Sequence, residues 1–279
     1  MMWRLVKNEL IKISGKRRSF IGFIVIGILM PLILWGFKVG GSQVYREITE
    51  QLQENFIVVG SVFNGFLATY IVMNFLWVHI PFLITLVAGD IVAGEGSAGT
   101  FRIYLTRPVS RGKILLSKLL ATYIYTAALI IFFAIMSLGL GSLWLGTGDL
   151  IVFHKGILIL PSEIAWMRFA LSFIFSIGVM LVVASLCFMF STMVNNGIGP
   201  IIGAMAVIFV GLAVSNLPLD FFEKIRPYFF TTYIDIWKEA FYDPIPWREI
   251  GKSILILVIY TAGFLGVSFA VFSRKDILT

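Results

Sequence analysis

Cysteine is almost absent from this chain of 279 residues. Cys187 stands alone, which excludes an intramolecular disulfide framework and any multi-cysteine metal site. Histidine is nearly as scarce: His79 and His154 are the whole supply, too little for a zinc site built on imidazoles. Charge is thin as well, at 13% of residues against about 25% in a soluble domain. Hydrophobic residues make up 59% and the mean hydropathy is +0.95, which excludes both a water-soluble globule and a disordered chain. Catalytic signatures are missing too. There is no H-E-x-x-H, and GEGSAGT places Glu95 where a G-x-S-x-G turn needs its first glycine. Gly251-Lys252-Ser253 resembles the end of a phosphate-binding loop, but Pro246 occupies the position of that loop's leading glycine. No catalytic and no metal-ligating residue is assigned.

What the chain has is apolar length. Six runs, at about 19–37, 67–89, 119–140, 169–190, 198–214 and 253–273, contain no Asp, Glu, Lys or Arg. Each approaches the roughly 20 residues that a helix needs to cross a bilayer core. The expected fold class is therefore all-α integral membrane, with six transmembrane helices in one domain over 1–279. The first run follows Lys16, Arg17 and Arg18 but is too long for a signal core and has no A-x-A-like site after it, so it reads as an uncleaved span. With the N-terminus inside, the inner segments 1–18, 90–118, 191–197 and 274–279 hold 13 of the 22 basic residues and only 4 of the 15 acidic ones. That asymmetry predicts two cytoplasmic termini and explains the net charge of +7 without nucleic acid.

Along the chain, Met2, Leu5, Val6, Leu10 and Ile13 fall near one helical face, with basic residues elsewhere around it. Residues 1–18 thus read as an interfacial amphipathic helix in contact with membrane lipids, with Trp3, Lys7, Lys12, Lys16, Arg17 and Arg18 as its functional residues. The outer segment 38–66 predicts a short separate helix, and 141–168 an apolar connector with Trp144 and Trp166 near the headgroups. The longest outer segment, 215–252, is punctuated by Pro218, Pro227, Pro244 and Pro246 and is too aromatic for a solvated loop. It predicts short outer-leaflet helices between spans five and six. The spans carry no Asp, Glu, Lys or Arg and one histidine, His79, so ion coupling through a carboxylate relay has no residues to use. His79 reads as a neutral histidine bonded across helices, Asn64 and Asn74 as interhelical glue, and Gly199 with Gly203 as a close-packing pair. Pro31, Pro81 and Pro200 mark kinks or helix starts.

The inner segment 90–118 is the one long loop on its side. Gly94, Gly96 and Gly99 are expected to break the helix leaving span two, residues 100–105 to form a short helix, and Ser110 to cap span three. An apolar centre with a basic rim suits a protein contact. Here Glu95, Gly99-Thr100, Arg102, Arg107-Pro108-Val109-Ser110-Arg111 and Lys118 form a pattern that resembles the corresponding loop of ABC-2 type transporter permeases. The basic N-terminal helix and the C-terminal Phe272-Ser273-Arg274-Lys275-Asp276-Ile277 are similar as well. The resemblance implies the membrane-spanning permease subunit of an ATP-binding cassette exporter in the cytoplasmic (inner) membrane of a prokaryote. It implies as partners two copies of a cytoplasmic ATP-binding subunit, which hold the ATP and Mg, and a second permease chain as homo- or heterodimer. It also implies that the chain itself is no enzyme and has no cofactor. The contact with the ATPase falls on Glu95, Gly99, Thr100, Phe101, Arg102, Arg107, Pro108, Ser110 and Arg111. Two other readings are a non-transporting polytopic membrane anchor or assembly subunit, and a lipid-modifying membrane enzyme, which the lack of acid–base groups disfavours.

Overall fold

In a bilayer every backbone amide must find its partner within the protein, so apolar runs of this length become helices. The computed structural model describes residues 2–53, 63–97, 109–153 and 156–275, of which 41–53 by backbone alone. Among them, six helical stretches are long and apolar enough to cross a membrane: Arg17–Gly40, Ile80–Ser97, Arg111–Leu145, Ser162–Met193, Gly199–Asn216 and Trp247–Arg274. The chain is a multi-pass, all-α membrane protein in outline. Its elements are α1 (Met2–Gly15), α2 (Arg17–Gln53), α3 (Gly65–Leu76), α4 (Ile80–Ala88), α5 (Asp90–Ser97) and α6 (Arg111–Ala134). A π-helical turn, Ile135–Gly139, joins α6 to α7 (Leu140–Leu145). After a β-hairpin come α8 (Ser162–Met193), α9 (Gly199–Asn216), α10 (Asp220–Ile225) and α11 (Trp247–Arg274).

α8 is the centre. α4, α6, α9 and α11 all pack against it, and 67% of its apolar window is buried, against 11% for α11 at the periphery. The second expected span, 67–89, is not one helix. It is cut at Trp77–His79 into α3 and α4, because Pro81 in the first turn of α4 has no N–H to donate and its ring opposes continuation of the preceding turn. Beyond Gly89 the chain turns again into α5. Ser191 of α8 splices this second joint: its hydroxyl donates to Gly89 O at 2.6 Å and accepts from the amides of Val92 and Ala93 at 3.2 and 2.9 Å. The helix also runs through Gly94 and Gly96, so these glycines are not the breakers expected of them. A Cβ on Gly94 would stand 2.3 Å from the Asp90 carboxylate, so the missing side chain makes room for that group.

Three other expectations change. The short helix expected within 38–66 is a continuation of span one, since α2 runs unbroken to Gln53. The connector 141–168 contains a two-stranded antiparallel sheet, β1 (Leu150–Phe153) on β2 (Ile157–Leu160), in register Leu150↔Leu160. Its nearly uninterrupted apolar sequence lacks the alternation that marks a half-buried strand. The closest backbone approach lies at Gly65 and Gly141 rather than at the Gly199 and Gly203 pair. A Cβ on Gly65 would lie 2.4 Å from the Gly141 carbonyl, whereas one on Gly203 would meet the Phe190 ring at an ordinary 3.5 Å, and Gly199 opens α9 beside Asn196. The π-helical turn serves the same contact, because Ser137 O accepts from Thr69 Oγ1 at 3.0 Å.

The segment between α9 and α11 is helical, as its composition suggests: α10 is followed by 3-10 turns at Arg226–Tyr228 and Phe230–Phe241. The last of these folds back into the bundle. Trp237 is wholly buried, 5.5 Å from Trp77 and 6.0 Å from Tyr70 between ring centroids, and Phe241 sits 4.9 Å from Phe169. Arg168 holds its end. The guanidinium, in the second turn of α8 and 7% exposed, donates to Ala240 O and Tyr242 O at 3.3 and 3.1 Å and to Asp243 at 3.1 Å. A cation on carbonyls at a helix C-terminus satisfies acceptors that the helix itself leaves open.

Burial, and then the nearby charge of Glu249, raise the pKa of Glu239 in this segment. A carboxyl whose folded pKa is raised opposes folding once ionised. The penalty is absent below its unfolded value, 4.5, and grows as the pH rises through the folded value. Glu239→Gln is therefore expected to raise the melting temperature of the detergent-solubilised protein at pH 7 and to lose that advantage near pH 4. An unchanged Tm at pH 7 would show that the carboxylate is relaxed there.

Candidate functional site

α1 forms because its apolar residues recur at helical spacing, but the face they make covers protein. Val6, Glu9 and Ile13 are buried, with α1 laid against α6. A helix expected to rest its apolar face on lipid thus rests it on the third span. Glu9 on that face meets a lysine from α6. Lys118 Nζ, with a side chain 0% exposed, stands 2.8 Å from Glu9 Oε2 and 2.7 Å from Glu95 Oε2 of α5. Lys12 completes the group, 3.1 Å from Glu9 and 2.8 Å from Glu95. Two lysines and two glutamates from three helices pair in one cluster. Burial works to lower the Lys12 pKa, but the hydrogen bond to Glu95 and the charges of Glu9 and Glu95 outweigh it and hold it above its ordinary 10.5. A raised lysine pKa means that this attraction is fully present below pH 10.5 and lost only as the pH climbs through the folded value.

A second clamp adjoins the first. Asp90, in the first turn of α5, pairs with Lys16 at 2.6 Å and Arg18 at 3.6 Å, across the bend between α1 and α2. Gly197 lets the carboxylate in, since a Cβ there would lie 2.6 Å from Asp90 Oδ1. A third contact binds the start of α6 to the chain's last helix: Arg111 donates to Ser273 O at 3.3 Å and Lys275 O at 3.0 Å. Lys275 in turn donates to Thr192 O at 3.1 Å, at the end of α8. One end of the bundle therefore gathers α1, α5, the start of α6 and the ends of α8 and α11 through charge.

Of the residues singled out from the sequence, Glu95, Lys12, Lys16 and Arg18 come together here. Trp3, 68% exposed, Lys7 and Arg17 face outward. Ser110 sits at the N-cap of α6 without a side-chain bond. Arg111 engages its own chain rather than standing free on a rim. Gly99, Thr100, Phe101, Arg102, Arg107 and Pro108, with the helix expected over 100–105, lie outside the described residues. Asn64 is a cap, accepting from the amides of Phe66 and Leu67 while reaching Asp149 O at 2.7 Å. His79 is exposed at the α3–α4 break and meets Phe75 O, one turn back in α3, at 3.3 Å, so its bond is local and does not cross to another span. Asn74 likewise bonds Tyr70 O within α3. Sequence reading passed over Glu9, Asp90 and the burial of Lys118. Among the described residues no group of three or more His, Cys, Asp or Glu is placed to hold a metal ion.

A protein-family model described as "Protein of unknown function (DUF2705)" matches residues 51–278, well over half of the chain, and the chain belongs to that family. It is also similar to a protein of Bacillus subtilis (strain 168) described as "Uncharacterized protein YhcI". The two are 26% identical over 199 residues, which are 69% of this chain and 63% of the relative. The chain thus spans less than two thirds of that relative's length.

Removing one partner from a buried charge cluster leaves its neighbours uncompensated and costs about 3–5 kcal/mol. Lys118→Met is expected to lower the melting temperature sharply, with Glu9 and Glu95 left without the ammonium between them. Adding Glu9→Gln to Lys118→Met is expected to recover much of the loss, since it removes one of the two carboxylates that faced the lost ammonium. A Lys118→Met protein that melts like the parent would show that the cluster is not held closed in the native state.

Proposed function

We propose that this DUF2705 family member is the membrane-spanning permease subunit of an ABC-2 type exporter, driven by a separate ATP-binding subunit. The observation that carries the reading is the four-charge cluster of Glu9, Lys12, Glu95 and Lys118. It binds the N-terminal helix, the root of the inner loop and the start of span three into one stiff unit at the basic end of the bundle. Such a unit transmits a push instead of absorbing it. Both termini and the loop 98–108 are cytoplasmic in this reading, from the distribution of basic residues. Two ATP-binding subunits dock there, and ATP with Mg resides in them. A second permease chain, of the same or another sequence, completes the assembly in a prokaryotic cytoplasmic membrane. Nucleotide shifts the pair between two states by contacting this end differently in each.

The inner-loop residues Arg102 and Arg107 are the rim charges of the docking face, where a like-charge juxtaposition costs several kcal/mol. The test is purification of the full tagged chain from its native membrane, with the nucleotide-binding chain that accompanies it identified and its ATPase rate measured. Arg102→Glu with Arg107→Glu is expected to lower recovery of that chain by about a hundredfold. Arg248→Glu, at the opposite end, is expected to leave it unchanged. If no nucleotide-binding chain is retained, or the loop substitutions leave its recovery unaltered, the reading fails.

A further inference from the structure

A groove of about 360 Å³ opens where α1 bends into α2 beside α6. Its walls are Ile11 from α1, Phe20 and Phe23 from α2, and Ile124 and Ala128 from α6. Tyr125 forms the floor, its hydroxyl donating to Ser19 O at 3.0 Å and its ring edge-on to Phe23 at 5.8 Å. Ile11, Phe20 and Ile124 are 58%, 48% and 39% exposed, so the groove is open along its length. Along the α6 axis, Ile124 and Ala128 stand about 9 and 15 Å beyond Lys118 by the helical rise. Half of a ~30 Å hydrocarbon core is about the same depth. The groove's lining on α6, from Ile124 to Ala128, thus lies within half a core's depth of the charged end of the bundle.

The charge at its mouth has one sign. Among the described residues Lys7 is the one cation lining the groove, Arg4 lies one turn earlier on the same helix and Arg17 opens α2. All three are exposed, and none forms an ion pair among the described residues. Lys12, Lys16 and Arg18, their neighbours, each pair with a carboxylate, Lys12 with Glu9 and Glu95, Lys16 and Arg18 with Asp90. The larger groove of about 530 Å³ among α6, α8 and α11 has no charged residue in its lining among the described residues. An apolar groove at that depth, beside unpaired cations, fits one amphiphile: a fatty acyl chain beneath a negatively charged phosphodiester. We propose that the cleft between α1, α2 and α6 is a binding site for a single anionic phospholipid, with an acyl chain against Phe23, Ile124 and Ala128 and the phosphate at Lys7. The site does not depend on the transport reading.

A basic helix attracts anionic lipid in any case, by about 1 kcal/mol for each Lys or Arg near the surface, so the test must separate a site from that diffuse pull. Full-length protein in detergent is titrated with phosphatidylglycerol or phosphatidylcholine and read by native mass spectrometry. Phosphatidylglycerol is expected to load one saturable equivalent, at least tenfold tighter than phosphatidylcholine. Lys7→Glu is expected to weaken it tenfold or more by reversing the headgroup contact. Ala128→Phe is expected to do the same by filling the slot while changing no charge, and Arg248→Glu, at the other end, to leave it unaltered. Melting curves confirm that each variant is folded. Equal loading of the two lipids, loading that never saturates, or retention of phosphatidylglycerol in a folded Ala128→Phe protein would overturn the site.

Discussion

A lysine ammonium with no access to water cannot stay charged alone, and Lys118 has none. Its charge must be met by carboxylates brought from elsewhere in the chain, and that constraint fixes much of the rest. Glu9 comes from α1 and Glu95 from α5, more than eighty residues apart in sequence. Once they close on Lys118, α1 has one place to lie, with Val6 and Ile13 against α6. The bend at Lys16 then points α2 away from α1, and the Asp90 pairs hold that bend. The cleft between α1, α2 and α6 exists because α1 is held at that angle. A buried ion cluster is weak evidence of net stability, since desolvation offsets most of the Coulomb attraction. What it supplies here is position.

The opposite end uses the same chemistry more sparingly. Arg168 replaces a cluster with one guanidinium that ties three acceptors at the end of the 3-10 segment. Around it aromatic rings do the packing, with Trp237 between Tyr70, Trp77 and Phe241. One end of the bundle is fastened by charge and the other by rings, with α8 passing through both. The division matches the proposed role, in which the charge-fastened end receives a push and the ring-packed end responds. In that picture the joints at Trp77–His79 and Gly89 lie along the path between them.

Six apolar runs were legible because crossing a membrane demands length and hydrophobicity, both local properties of a sequence. Boundaries were less so: helices such as α6 and α8 continue past their apolar cores into turns that tolerate charge, which brought Arg168 and Lys118 inside. Pro81 was legible as a kink or helix start, and it opens α4, but hydropathy that does not fall across the cut kept 67–89 reading as one span. The hairpin left no trace because both faces of β1 and β2 are apolar. Glu95 and Lys118 could be picked out individually, yet their partnership with Glu9 is a long-range pairing with no local signature. Gly94 and Gly197 were equally opaque, because room for Asp90 is a fact about three dimensions.

The clamp on α1 can be watched directly by hydrogen exchange of the amides in residues 6–13, comparing the parent chain with Lys118→Met in the same detergent. If the charge cluster positions the N-terminal helix, the substitution makes these amides exchange at least tenfold faster while those at the centre of α8 keep their protection. Unchanged protection across residues 6–13 would contradict it, and would mean that α1 is held by its apolar face alone.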